Sequence, residues 1–230
     1  MNTKLKEFLY KYKHALFILY LFPYMTWFVA LEQRNNVKFT NIHCIVDDWI
    51  PFCEVFIIPY MLWFLYVIVG LVFLFFQLDR LEDYYHCMIT LILGMTTFLI
   101  ICTVFPNAQT MRPSSFARDN VFTRIIAGLY ATDTSTNVFP SIHVYNSIVV
   151  HASLASALLA KNKRGWYYAS LLLCISICLS TVFLKQHSFL DGAGAIVLFL
   201  IYNYVVKQLR MLRERKRNAA LIETKTKPSA

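Results

Sequence analysis

Long uninterrupted runs of apolar residues set the pattern of this chain. Because a helix of about 20 apolar residues crosses a bilayer core of about 30 Å, each long run predicts a transmembrane helix. Pro23 and Pro59 fall inside two of the runs, and membrane helices tolerate proline. The pattern predicts one all-α domain over residues 1–230, a bundle of six transmembrane helices at 15–31, 52–76, 86–105, 140–160, 166–184 and 190–206.

The composition of the chain supports this interpretation. Hydrophobic residues make up 58% of it and charged residues 15%, whereas a soluble domain carries about 25% charged residues. An ordinary soluble protein is therefore excluded. The first apolar run lacks a small-residue cleavage site, and the charged residues Glu32 and Arg34 follow it. We expect it to remain as a helix and not to act as a signal peptide.

The basic residues are distributed unevenly among the connections. Most of the 22 Lys and Arg residues fall in segments that share one side of the membrane if the N-terminus is cytoplasmic, among them 161–164 and the basic tail 207–230. The positive-inside rule therefore predicts a multi-pass protein with both termini in the cytoplasm. The net charge of +9 comes mostly from this asymmetry. We expect the tail to contact anionic membrane lipids, and we expect no nucleic-acid partner.

Polar residues gather in two connections that this topology places outside. The segment 106–139 leads into the fourth helix, which carries His143, and the turn between the fifth and sixth helices carries His187. The 44 residues that separate these histidines match two membrane crossings and a short turn, at about 1.5 Å of rise per residue. We therefore expect both histidines at one depth, on the extracytoplasmic face.

The residue types in these connections suit a phosphate group. Pro140 fits the first turn of a helix, so the Ser141 hydroxyl and the N–H groups beside it would line a helix N-terminus, where anions bind. Arg112 offers a planar guanidinium to phosphoryl oxygens, and Lys185 offers a compact charge. The sequence thus predicts that Arg112, Ser141 and Lys185 bind the substrate.

The two histidines and Asp191 supply the groups that a phosphoryl transfer needs. Asp191 follows His187 by four residues, so on a helix the two share a face. The carboxylate would hold one ring N–H of His187 and leave the other nitrogen free as a nucleophile. His143 would protonate the leaving oxygen. Each residue alone has a plainer structural interpretation, but their joint position on one face favours catalysis.

These motifs resemble the type-2 phosphatidic acid phosphatase superfamily of lipid phosphatases and phosphotransferases. The signature of that family resembles Lys-x6-Arg-Pro, then Pro-Ser-Gly-His, then Ser-Arg-x5-His-x3-Asp. This chain supplies Arg112-Pro113, then Pro140 to His143, then Ser180-Thr181 through His187 to Asp191. The resemblance implies a phosphohistidine on His187, an orienting Asp191 and a general acid at His143. It implies no metal and no cofactor.

The chain departs from this signature at three positions. Phe105 stands where the signature has Lys, Ile142 where it has Gly, and Thr181 where it has Arg, so two cations are missing. Lys185 lies four residues after Thr181, and a continuing helix would place its charge one turn further along the same face. We expect Lys185 to replace part of the missing charge. The Phe-Pro-Ser-Ile-His and Lys-Gln-His-x3-Asp forms of the motifs, at 139–143 and 185–191, resemble the branch with inositol phosphorylceramide synthase and sphingomyelin synthase.

The sequence therefore predicts a membrane lipid phosphatase that hydrolyses a lipid phosphate monoester or diphosphate. A phosphotransferase that moves a phospho-headgroup to a lipid alcohol is an alternative at this stage. A membrane transporter or a non-catalytic lipid-phosphate binder is another. Transporters commonly carry internal repeats with a site near the midplane, whereas here the polar residues lie at one face and no convincing repeat is visible.

Overall fold

A computed structural model describes residues 10–35 and 37–226 of the chain. In these residues eight α-helices occur: α1 (Leu21–Glu32), α2 (Ile45–Trp49), α3 (Ile57–Phe76), α4 (Leu81–Val104), α5 (Val121–Thr132), α6 (Ile142–Ala160), α7 (Arg164–Phe183) and α8 (Phe189–Thr226). Three 3-10 helices precede α1, α3 and α4, at Lys13–Tyr20, Glu54–Phe56 and Leu78–Arg80. Strands β1 (Thr40–Asn41) and β2 (Asn107–Ala108) form one short parallel pair.

Six of the helical segments are long and apolar enough to cross a membrane. They are built on α1, α3, α4, α6, α7 and α8, and the prediction of an all-α six-helix bundle is confirmed. The chain is a multi-pass membrane protein. The remaining helices, α2 and α5, lie in the connections that lead into α3 and α6.

Helix α6 forms the centre of the bundle. It packs against α3, α4, α7 and α8, and its residues Tyr145, Val149, Val150 and Ala157 are almost completely buried. The close crossing with α4 depends on Gly94, because a Cβ there would lie 2.0 Å from Cζ of Tyr145. The Tyr145 hydroxyl donates a hydrogen bond to the carbonyl of Thr90 at 2.7 Å. This crossing fixes the start of α6, where the site lies.

Several helix boundaries differ from those that the apolar runs predict. Helix α4 begins at Leu81 and not near residue 86, with Glu82 and Asp83 in its first turn, where acidic side chains favour a helix N-terminus. Helix α8 continues far beyond residue 206, and Arg210 pairs with Glu214 one turn later. The predicted basic tail is therefore helical up to Thr226. Residues 227–230, and the basic Lys4 and Lys6, lie outside the described residues.

The connections divide between the two ends of the bundle. At one end, here named the site end, the segments 33–53, 105–141 and 184–188 contact one another through backbone pairing and side-chain hydrogen bonds. At the opposite end are the short turns 77–80 and 161–163, where Lys161 contacts Gln77 and Asp79. The hairpin of α6 and α7 thus returns the chain to the site end.

Candidate active site

The structure brings His143 and His187 into direct contact. His143 lies in the first turn of α6, and His187 lies in the turn 184–188 between α7 and α8. Nδ1 of His143 is 3.2 Å from Nε2 of His187. The two residues are 44 positions apart in the sequence, and the α6–α7 hairpin returns the chain to the end of the bundle at which they meet.

Asp191 contacts the other ring nitrogen of His187. Its Oδ2 is 3.2 Å from His187 Nδ1 and also accepts a hydrogen bond from the backbone N–H of Ser188 at 2.9 Å. Because the carboxylate is an acceptor, His187 Nδ1 donates and His187 Nε2 is left as an acceptor. His143 must then donate from Nδ1. This hydrogen-bond pattern aligns a carboxylate, a nucleophilic nitrogen and a proton donor.

The turn that carries His187 is formed by a sharp end to α7. The helix ends at Phe183, Lys185 has a positive φ of 52°, and the N–H groups of Gln186 and His187 both donate to the carbonyl of Thr181, at 2.9 and 3.0 Å. The expected continuation of the helix to Lys185 is therefore wrong. His187 and Asp191 meet through this turn and the first turn of α8, and not along one helix.

The side chain of Lys185 extends from the turn 184–188 toward the segment 33–53. Its Nζ donates to the carbonyls of Asp47 and Ile50, at 2.7 and 2.5 Å. The positive φ at Lys185 is what turns its side chain away from the face expected for a continuing helix. Lys185 therefore links the turn 184–188 to α2 and to the residue that follows it. Among the described residues, Lys185 makes no contact that supports its expected role as a replacement for a missing phosphate-binding cation.

Asp47 holds the same turn from the other side. Its carboxylate accepts from the Ser188 hydroxyl at 2.6 Å and from the Phe189 N–H at 2.7 Å, and from the Cys44 N–H at 2.8 Å. Burial opposes ionisation of Asp47, but these hydrogen bonds outweigh it and hold the pKa of the carboxyl below its usual value. No local pattern in the sequence indicates this role, because Asp47 is 141 residues from Ser188.

Arg112 lies beside the turn with most of its guanidinium engaged. It donates to the carbonyls of Asp133 at 2.6 Å and Thr134 at 2.9 Å, and to Oε1 of Gln186 at 2.5 Å. Its guanidinium carbon lies 4.7 Å from the ring centre of Tyr130. Asp133 also forms an ion pair with Arg112, with 3.6 Å between Oδ2 and Nη2.

Unpaired donors remain around Arg112. Among the residues that the structure describes, buried Arg112 Nε, Gln186 Nε2 and Gln109 Nε2 have no hydrogen-bond partner. Arg112 and Gln186 are in contact, so their unpaired N–H groups form a suitable environment for an anion, because an unsatisfied buried donor is costly. Gln186 immediately precedes His187 and was not predicted to take part in the site.

Ser141 caps α6 and is completely buried. Its hydroxyl accepts from the Val144 N–H at 3.4 Å, and its own N–H donates to the carbonyl of Asp191 at 3.0 Å. Pro140 precedes this cap, so it lies outside the first helical turn in which it was expected. Asn137 does not cap the helix: its side chain contacts Glu32 and Arg34. Ser141 therefore joins the beginnings of α6 and α8.

An aromatic wall from α3, formed by Tyr60 and Trp63, packs against His143. The ring centres of Tyr60 and Trp63 lie 4.9 and 4.3 Å from that of His143. His187 is only 7% exposed and Asp191 is fully buried. Low solvent exposure strengthens electrostatic interactions inside such a site. Within residues 10–35 and 37–226, no group of three His, Cys, Asp or Glu side chains is placed to hold a metal ion.

The fold and this cluster define a multi-pass membrane protein with a buried His–His–Asp chain at one end of its helix bundle. Comparisons of the chain with protein families, with curated proteins and with solved structures found no match. Function is therefore argued from the geometry of the site and from the motifs that the sequence carries.

Proposed function

We propose that this protein is a membrane lipid phosphatase that hydrolyses a lipid phosphate monoester or diphosphate through a phosphohistidine. The observation that carries the proposal is the hydrogen-bonded chain from Asp191 through His187 to His143, with Nε2 of His187 as an acceptor. The resemblance of the same residues to the signature of the type-2 phosphatidic acid phosphatase superfamily supports it independently.

In the first step, Nε2 of His187 attacks phosphorus and the bond from phosphorus to the leaving lipid oxygen breaks. His143 enters this step as an imidazolium, a form that the negative charge of the bound phosphate favours. The proton on its Nδ1 moves to the leaving oxygen, so the lipid leaves as a neutral alcohol and His143 becomes neutral. The phosphoryl group must take the place of the 3.2 Å hydrogen bond between the two rings. Asp191 stabilises the positive charge that His187 gains, because it stays hydrogen-bonded to Nδ1.

In the second step, water attacks the phosphohistidine. Neutral His143 accepts a proton from this water, the P–N bond breaks, and inorganic phosphate leaves with both histidines restored. Phosphoryl oxygens would accept from the unpaired N–H groups of Arg112 and Gln186 and from the N-terminal end of α6 beyond Ser141. These N–H groups would provide part of the stabilisation of the phosphate that the missing signature cations would otherwise provide.

A phosphotransferase is a second candidate for the same site. The aromatic wall of Tyr60 and Trp63 and the low exposure of His187 restrict access of bulk water. A lipid alcohol that reached the phosphohistidine from the membrane would complete a transfer instead of a hydrolysis. Both reactions share the first step and differ only in the acceptor.

We further propose that the site end faces the extracytoplasmic side, with both termini in the cytoplasm. The turn 161–163 and the C-terminal part of α8, both rich in Lys and Arg, lie at the opposite end of the bundle. The positive-inside rule supports this orientation.

The proposal is tested by phosphate release from a short-chain phosphatidic acid by the purified protein in a chelator. We expect His187→Ala to lower turnover by at least on the order of 10³-fold, because the nucleophile is lost, and wild type to form an acid-labile labelled phosphohistidine. His43→Ala is the control, since this exposed histidine pairs with Asp48 at the surface. Equal turnover in the wild type and His187→Ala rejects the mechanism, and appearance of label on an added lipid alcohol identifies a transferase.

A further inference from the structure

The half of the bundle opposite the site end carries an apolar groove on its surface. The groove lies between α3, α6 and α7 and has a volume of about 540 Å³. Its walls include Leu65, Val69 and Trp166, which are 56%, 57% and 70% exposed, whereas Leu154 and Leu158 in its floor are buried. The groove is therefore open sideways, toward the hydrocarbon of the membrane, and closed toward the core of the bundle.

The floor of the groove is closely packed. The hydroxyl groups of Tyr66 and Ser170, which both line the groove, lie 2.9 Å apart, and the Ser170 hydroxyl lies 3.0 Å from Nδ1 of His151. Gly70 lets α3 approach α6, because a Cβ there would lie 2.5 Å from Cγ1 of Val150. The polar atoms of Tyr66 and Ser170 are thus paired within the protein, and the floor offers van der Waals contacts to a hydrocarbon chain.

One end of the groove is basic. Lys163 lines this end and immediately precedes α7, which begins at Arg164. In the described part of the chain the Lys163 and Arg164 side chains have no ion-pair partner, whereas Lys161 on the same turn pairs with Asp79 at 3.3 Å. The first turn of α7 receives no side-chain cap from the described residues, so the positive end of the helix dipole adds to this charge. This end of the groove is therefore complementary to a phosphate.

The length of the groove matches one leaflet of a membrane. The groove follows α7 from Lys163 to Leu173, roughly 15 Å at about 1.5 Å of rise per residue. Half of a bilayer core of about 30 Å has the same thickness. Trp166 lies near the basic end, as tryptophan commonly does at a membrane interface. A lipid in the groove would thus have its head group at Lys163 and its chain directed toward the centre of the bundle.

We propose that this groove is a binding site for an anionic phospholipid from the leaflet opposite the site end. The phosphate binds Lys163 at the beginning of α7, and one acyl chain lies between α3 and α7. A head group with a net negative charge gains more from Lys163 and Arg164 than phosphatidylcholine does, because the two cations repel choline. This site is separate from the histidine pair and does not depend on the proposed phosphatase activity.

The test measures contact between brominated phospholipids and Trp166 in the full-length protein, because bromine on an acyl chain quenches the fluorescence of a tryptophan that it touches. Trp27, Trp49 and Trp63 are changed to Phe, which leaves Trp166 as the single tryptophan. This parent protein is reconstituted in phosphatidylcholine that contains increasing fractions of brominated phosphatidylglycerol or brominated phosphatidylcholine. We expect phosphatidylglycerol to bind roughly fivefold more tightly, the effect of one basic residue near a membrane surface.

Two pairs of variants separate a site from general attraction. Lys163→Gln should abolish the preference for phosphatidylglycerol, whereas Lys161→Gln removes the same charge from a lysine that already pairs with Asp79 and should leave the preference unchanged. Ala169→Phe should also abolish the preference, because Ala169 is exposed and lines the groove, so a ring there would fill it. Leu172→Phe is the control for added bulk, since Leu172 is 68% exposed and lies outside the groove.

Loss of the preference in Lys163→Gln and Ala169→Phe, with both controls unchanged, supports the assignment. An equal loss in Lys163→Gln and Lys161→Gln overturns it, because surface charge at this end of the bundle would then attract the lipid without a site. Equal quenching of the parent protein by the two lipids also overturns it. So does a preference that survives Ala169→Phe, since the lipid would then lie outside the groove.

Discussion

Asp47 shows how a single carboxylate positions the residues of the site. It receives the Ser188 hydroxyl and the Phe189 N–H, and its own backbone carbonyl accepts from Lys185. Ser188 and Phe189, the first residue of α8, lie between His187 and Asp191. The distance from His187 to Asp191 therefore depends on a residue from a connection far away in the sequence.

The stability that Asp47 contributes should depend on pH. Its folded-state pKa lies below its usual value of about 3.9, so the contribution is complete above that value and is lost as pH falls through the folded pKa. We expect Asp47→Asn to lower the free energy of unfolding at pH 7 by roughly 1–3 kcal/mol, and to lower it much less at pH 3. Thermal unfolding in detergent across this range measures the effect.

The neighbouring Asp48 provides the control for this prediction. Its side chain is 62% exposed and pairs with His43 at the surface, and exposed pairs contribute little to stability. Asp48→Asn should leave the unfolding temperature nearly unchanged at both pH values. If Asp47→Asn and Asp48→Asn gave the same pH profile, the hydrogen bonds that Asp47 accepts from Ser188 and Phe189 would contribute nothing to stability.

At the scale of the elements, the crossing of α4 and α6 decides where His143 lies. Gly94 allows the Tyr145 ring to lie against the backbone of α4, and the Tyr145 hydroxyl fixes the register through the Thr90 carbonyl. Gly194 has a related role in α8, because a Cβ there would lie 2.7 Å from the Phe139 ring. Both contacts fix helices that carry residues of the site.

Gly94→Ala should therefore destabilise the bundle. The new methyl group would overlap the Tyr145 ring, and overpacking of a tight core costs about 1–3 kcal/mol, so we expect a lower unfolding temperature and weaker activity. Gly128→Ala is the matched control, since a Cβ there meets no atom within 4 Å. In the exposed helix α5 that change should be neutral or slightly stabilising. An unfolding temperature of Gly94→Ala equal to that of the wild type would contradict the tight crossing.

At the scale of the whole molecule, the residues of the site and the basic part of α8 lie at opposite ends of the bundle. The histidines, Asp191 and Arg112 lie at the site end, and the long basic part of α8 lies at the other. This arrangement is compatible with the proposed phosphatase, whose basic helix we expect to contact anionic headgroups at the opposite surface.

The proposed orientation is open to a direct test. Cys44 and Cys53 are half-buried at the site end, so both are changed to Ser, and one exposed cysteine is then introduced. We expect Ser115→Cys to react with a membrane-impermeant maleimide in intact cells, and Asn218→Cys to react only after permeabilisation. The positive-inside distribution is the physical reason. The reverse labelling pattern would place the histidines in the cytoplasm.

The boundaries of the fold show what local patterns cannot predict. Apolar runs locate six helices because each must match the thickness of the hydrocarbon core. Apolar runs do not predict α5 or the continuation of α8, because both segments contain polar residues and the thickness of the hydrocarbon core does not set their length. Ends of helices depend on capping residues and on neighbouring segments.

The sequence by itself determined the class of fold and the return of His143 and His187 to the same end of the bundle. Two membrane crossings of fixed length return the chain to one surface, so two apolar runs and the short basic turn between them place both rings at that end. Only the tertiary structure decided the rest of the site. Lys185 turns toward α2, Gln186 holds Arg112, and Asp47 holds the turn. These contacts join segments far apart in the chain, and such partners follow from the packing of the connections and not from any period in the sequence.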